Sequence, residues 1–149
     1  MADLPRKCPN CRERRVAEIR ERYDVSVEHD GRLYEISIPD LTVLKCEACG
    51  NRVLPNVADD RVSDAIRDVA GLLTPVDMSS KRVALNLSQK ELADLINIPE
   101  PIYARWESGG LIQQRHSDLL LRSVFAVPEL RRYLHSRRIG AGMSHPQVA

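Results

Sequence analysis

The sequence predicts an α+β chain in two parts, a small antiparallel β-sheet followed by an all-α half. Three observations carry this prediction. Two Cys-x-x-Cys pairs enclose a long insert. Within that insert apolar and polar residues alternate on either side of an Asp30-Gly31 pair. From residue 57 onward apolar residues recur instead at three- and four-residue spacing, interrupted by helix-capping signals.

The cysteines are Cys8, Cys11, Cys46 and Cys49, in Cys-Pro-Asn-Cys and Cys-Glu-Ala-Cys-Gly. Each pair can form a tight knuckle, and two knuckles can converge four thiolates on one tetrahedral ion. The start, MADLPRKCPNC, has no apolar core of signal-peptide type, and no apolar run is long enough to span a bilayer. A cytoplasmic location is therefore expected, where thiols stay reduced and such pairs hold a metal rather than form disulfides. One structural zinc per chain is the reading these residues support, with iron in a rubredoxin-like site and a redox dithiol as alternatives. Four thiolates leave no open coordination position, so the metal is expected to be a staple without chemistry of its own.

The insert is built to bring the knuckles together. Ala17, Ile19, Tyr23, Val25 and Val27 fall on odd positions, while Glu18, Arg20, Arg22, Asp24, Ser26 and Glu28 fill even ones; Glu21 is the exception. Asp30-Gly31 suits a two-residue hairpin turn. That turn pairs Val27 with Tyr34, Val25 with Ile36 and Tyr23 with Ile38, so apolar residues meet across the strands. A third strand at 41–45 is expected to return Cys46 to Cys8, completing a zinc-binding β domain over 1–56.

A bridging helix is expected over 57–73. Val62, Ala65, Ile66, Val69, Ala70 and Leu73 form its stripe, and Asp59 and Asp60 stand at its start. Thr74-Pro75-Val76-Asp77 then opens a fresh helix ending near Asn86. Ser88-Gln89-Lys90-Glu91 is a capping box for a short helix, Gln89 to Ile96, with Leu92, Ala93 and Ile96 inward. Asn97 suits a left-handed turn, Ile98 can anchor that turn in the core, and a further helix covers about Glu100 to Glu107 before Ser108-Gly109-Gly110. Two short helices joined so tightly have the geometry of a helix-turn-helix, whose second member enters the major groove of DNA.

The stretch LSQKELADLINIPEPIYARWESG resembles the xenobiotic-response-element (XRE, lambda-repressor-like) helix-turn-helix through Ser-Gln-x-Glu-Leu-Ala and Arg-Trp-Glu-x-Gly. With the two knuckles and the Val-Pro-Glu-Leu run at 127–130, the chain resembles the MqsA (YgiT-type) antitoxins over nearly its whole length. The resemblance implies a bacterial type II antitoxin. Its zinc domain would neutralise a cognate toxin, commonly an mRNA interferase. Its helix-turn-helix domain, here 74–138, would dimerise and repress its own operon at a palindromic operator. It also implies that Arg105 is the groove-facing arginine. Pro101 stands where the family has a DNA-contacting asparagine, so adenine readout is lost there while a guanine contact by Arg105 can persist.

Pro99 occupies the usual cap position of that second helix, which tolerates proline because first-turn N–H groups lack intrahelical partners. Base contacts are then expected from Glu100, Ala104 and Arg105, with Tyr103 buried. Ser88 and Gln89 are placed to hold a phosphate, and Gln113, Gln114 and Arg115 to clamp the backbone beyond the helix. A surface salt bridge is the alternative for Arg105. Trp106 and Glu107 read as structural, the indole in the core and the acid bound within the domain.

Hydrophobic residues make up 43% and charged residues 29% of the chain, and the net charge of +1 gives little support to a generic polyanion binder. Residues 99–149 nevertheless carry seven arginines against four acids. That excess suits nucleic acid but is small enough for a solvated face, to which Arg131, Arg132, Arg137 and Arg138 are assigned. Leu130, Tyr133 and Leu134 offer packing, and residues 139–149 are expected to form a disordered tail. His29, His116, His135 and His145 are scattered and read as neither ligands nor bases. No nucleophile–base pair or phosphate loop points to an enzyme. The alternative to an antitoxin is a free-standing zinc-containing regulator without a toxin partner.

Overall fold

The hairpin begins at its turn. Asp30 and Gly31 take φ of 54° and 71°, the left-handed pair that joins two strands in a tight turn. They connect β1 (Val16–His29) to β2 (Arg32–Cys46). The computed structural model describes residues 5–142. Val27 pairs with Tyr34, Val25 with Ile36 and Tyr23 with Ile38, the register anticipated from the alternation.

Beyond Tyr23 the register shifts. Glu21 pairs with Leu41, so Arg22 faces two residues of β2, Pro39 and Asp40. Proline lacks the N–H a ladder needs and is accommodated at such a bulge. The extra residue reverses the phase of β2: Ile36 and Ile38 are buried before it, Leu41 and Val43 after it. The strand expected at 41–45 is therefore the second half of β2. The third strand is instead β3 (Arg52–Val53), paired with Leu44 and Lys45, in the order β1-β2-β3. Glu21, the exception to the alternation, is answered by Arg52 at 2.8 Å and Lys45 at 3.7 Å.

Helix α1 (Asn56–Ala70) packs on β2 and buries Ala58 and Ile66. It starts earlier than expected, with Pro55 as N-cap, so Asp59 lies in the first turn rather than capping it. It ends at Gly71, whose left-handed φ of 68° forms the C-cap, and Leu73 lies outside it. Val69 is more than half exposed, whereas Arg67 is buried with its guanidinium 3.0 Å from Asp64. The chain divides into two compact units between Gly71 and Leu72.

Among its described residues the second unit is built of helices: α2 (Pro75–Ala84), α3 (Gln89–Leu95), α4 (Glu100–Glu107), α5 (Arg115–Ala126) and α6 (Pro128–Gly142). Thr74 and Asp77 form a full capping box on α2, and Ser88 and Glu91 one on α3. Asn86 and Asn97 take φ of 55° and 58°, and the Ile98 N–H bonds to the Ala93 carbonyl at 2.9 Å, closing the turn before α4. Met78, Leu92, Ala93, Tyr103, Trp106, Leu121 and Val124 form the core, with Ile98 packed against it. Tyr103 and Trp106 meet edge to face at 6.1 Å.

The sequence offered no separate expectation for α5, yet this helix closes the core. Its Asp118 carboxylate is buried and accepts the Leu73 N–H at 2.7 Å and Arg122 Nε at 2.6 Å. Arg131 of α6 donates to the Val124 and Phe125 carbonyls, satisfying the end of α5. Helix α6 continues through residue 142, past the start expected for the tail; residues 143–149 of that tail lie outside the described residues.

Candidate metal centre and nucleic-acid interface

The two knuckles repeat one backbone path. The Arg12 N–H bonds to the Cys8 carbonyl at 2.9 Å, and the Gly50 N–H to the Cys46 carbonyl at 2.8 Å. Arg12 and Gly50, each following the second cysteine of its pair, both have positive φ, 65° and 74°. Cys46 is the last residue of β2 and pairs with Val16, itself bridged to Arg6, so the sheet carries the second knuckle to the first.

The four Sγ atoms lie within 4.8 Å of one another. Cys8 and Cys49 are 3.6 Å apart, as are Cys11 and Cys46. Zn–S bonds of about 2.3 Å would put tetrahedral sulfurs about 3.8 Å apart, so the cluster fits a four-thiolate ion. Cys8 and Cys46 are buried, Cys11 half-buried and Cys49 exposed. The Asn51 backbone N–H and the Asn10 side-chain amide lower the Cys49 thiol to about 6. A backbone N–H from Cys11 likewise draws Cys8 down. Cys11 receives such a bond from Glu13, but burial and its sulfur neighbours outweigh it and push the thiol up to about 12. Without a cation four such close sulfurs resist ionising together; a dication removes that penalty. The cysteines are positioned to bind a metal ion.

In the second unit α4 is held from one side and open on the other. Tyr103 and Trp106 face the core. Glu107 accepts Arg82 Nε at 2.6 Å and Nη2 at 3.1 Å, Gln89 Nε2 at 2.9 Å and the Tyr103 hydroxyl at 2.6 Å. Burial works against its ionisation, but those donors outweigh it and hold the carboxyl below the usual range. Burial and the bond to Glu107 push the Tyr103 phenol up. Helices α2 and α3 thus fix the orientation of α4, through an Arg82 partner that spacing did not reveal.

The DNA-facing candidates divide. Arg105, Glu100 and Pro101 are exposed on α4, and Ala104 is half-buried. The Arg105 guanidinium donates to the Gly110 carbonyl at 3.3 Å, and no acid is paired with it among the described residues. Ser88 is exposed, but its hydroxyl accepts the Glu91 N–H; Gln89 is half-buried and engaged with Glu107. Gln114 and Arg115 are exposed at the start of α5. Gln113 is a correction: it is 0% exposed and donates to the Leu73 carbonyl at 2.8 Å and Asp118 at 3.1 Å. A side chain so enclosed cannot clamp a DNA backbone.

Among the described residues no helix is long and apolar enough to cross a membrane. No curated protein matches the chain. Residues 78–121, from within α2 to within α5, match the helix-turn-helix family. The second unit therefore contains a helix-turn-helix DNA-binding domain, with α3 and α4 as its two short helices.

Proposed function

We propose that this chain is the antitoxin of a type II toxin–antitoxin pair. Its first unit, stapled by one zinc on Cys8, Cys11, Cys46 and Cys49, binds and neutralises a cognate toxin, an mRNA interferase in the family it resembles. Its second unit, as a homodimer, represses the chain's own operon at a palindromic operator. The zinc supplies rigidity: it joins two knuckles that a three-stranded sheet alone would hold only marginally.

One observation carries the DNA half of this reading. The side of α4 bearing Pro101 and Arg105 is exposed, as is Glu100 at its start, while Tyr103 and Trp106 bury the opposite side and Glu107 ties the end of the helix to Arg82. Arg105 reads guanine in the major groove. The N-terminus of α3, at Ser88 and Gln89, meets a phosphate, and Gln114 and Arg115 grip the backbone beyond α4. Pro101 has no side-chain donor, so its position contributes shape alone.

The toxin half rests on the order of parts, knuckled sheet first and helix-turn-helix second. Its test is co-expression of the full chain with the product of the neighbouring gene. Growth arrest by that product alone, relieved by this chain and accompanied by copurification, is the expected result. A neighbour that neither arrests growth nor binds would end the antitoxin reading and leave a free-standing zinc-containing regulator.

A further inference from the structure

Helix α6 lies outside the matched helix-turn-helix residues, yet it packs on α3. Asp94 on α3 ties two cations together: Lys90 Nζ at 2.8 Å, one turn earlier on the same helix, and Arg138 Nη2 of α6 at 3.3 Å. Arg137 is exposed and makes no ion pair among the described residues. Arg137, Arg138, Leu134, Asp94, Leu95 and Asn97 line a cleft of about 480 Å³. Asn97 is the left-handed residue of the turn that leads into α4. The cleft therefore opens beside the start of the helix that carries Arg105. Asp94, and to a lesser degree Glu100 at the start of α4, hold Lys90 protonated.

We infer that Lys90, Arg137 and Arg138 form a second DNA-backbone site, in which α6 grips duplex phosphates flanking the groove entered by α4. This inference rests on the DNA-binding reading of the second unit. Phosphate is the ligand class that the chemistry favours. The three side chains bring only cationic donors, and the carboxylate of the lining, Asp94, is already engaged by Lys90 and Arg138. Against Asp94 and Glu100 the three cations keep an excess of positive charge, and the Asp94 tether holds Lys90 and Arg138 side by side. The arginines of α6 are then more than the solvated face suggested by their spacing.

Full-length protein would be titrated with two duplexes across a salt series. One is the DNA upstream of the chain's own coding sequence; the other is a scrambled duplex of equal length. The R137A/R138A double variant is expected to lose affinity for both duplexes by a similar factor. Its log affinity against log salt should flatten by about 0.9 for each phosphate that is no longer neutralised. Arg105→Ala, by contrast, should lose affinity for the upstream duplex alone. Asp94→Asn removes the negative charge without shortening the cations and should tighten binding to both duplexes. Unaltered affinity and salt slope in R137A/R138A, with Arg105→Ala still losing discrimination, would overturn the α6 site while leaving α4 as the reader. Wild-type protein that binds neither duplex would remove the DNA reading itself, and this site with it.

Discussion

Arg82 of α2 and Glu107 at the end of α4 form a bidentate ion pair, at 2.6 and 3.1 Å, with side chains only 15% and 6% exposed. Taking one partner away strands the other charge in a poorly hydrated site, a loss that generally exceeds what the intact pair contributes. Glu107→Ala should therefore cost about 3 kcal/mol of second-unit stability. The double change Arg82→Met with Glu107→Leu should cost much less than the sum of the single changes. Trp106 is the sole tryptophan and lies in this core, so urea unfolding followed by its fluorescence reads the affected unit. Additive losses would show that the two side chains act independently.

The same carboxylate sets a pH dependence, together with those of the capping boxes. Asp77, bonded first by the Thr74 backbone N–H, and Glu91, bonded first by that of Ser88, are lowered like Glu107. A folded-state value below the unfolded one contributes stability that is present above the unfolded value, about 4 for carboxyls, and is lost as pH falls through the folded value. The Trp106-reported melting temperature should thus hold near neutrality and decline as pH drops below about 4. A flat profile through that range would contradict the role given to these three groups.

Metal removal should separate the two units. A strong chelator, or Cys46→Ser, is expected to abolish the ordered amide signals of the first unit in a two-dimensional NMR spectrum while those of α2 to α6 persist. Elemental analysis of the untreated protein should find one zinc per chain. Full retention of the sheet signals after verified metal loss would show that the knuckles need no ion.

Arg12 and Gly50 occupy equivalent left-handed positions, but only one of them is a glycine. A side chain at positive φ costs about 1 kcal/mol, so Arg12→Gly should relieve strain in the first knuckle. The expected effect is a higher chelator concentration at the midpoint of first-unit unfolding, and Gly50→Ala should lower that midpoint. Opposite signs would mean that the Arg12 side chain contributes more than its backbone loses.

Arg105→Ala should weaken affinity for the upstream operator by about 1 to 3 kcal/mol. Its side chain is exposed and, among the described residues, bonds to the Gly110 carbonyl alone, so the melting curve should not move. Undiminished operator affinity in a gel shift would exclude α4 as the reader.

Features written in short stretches of sequence were legible. The hairpin register follows from alternation about Asp30-Gly31, and both capping boxes from residues three apart. The bulge at Pro39 and Asp40 was not anticipated, although a proline within a strand is its visible signal. Gln113 misled because its neighbours Gln114 and Arg115 are exposed; its own partner, the Leu73 carbonyl, lies 40 residues away in sequence.

By itself the sequence determined the parts: two knuckles, a hairpin, and short capped helices around an apolar stripe. Each depends on interactions between residues a few positions apart, which composition and spacing encode directly. Only the tertiary structure decided which polar side chains are enclosed. It drew Glu107 to Arg82, Gln113 to Asp118 and Leu73, and Asp94 to Arg138, and thereby separated the arginines that anchor helices from those left facing solvent. The physical reason is that burial of a charge or amide is tolerable only where a distant partner arrives in the same place, and that meeting is a property of the packed fold.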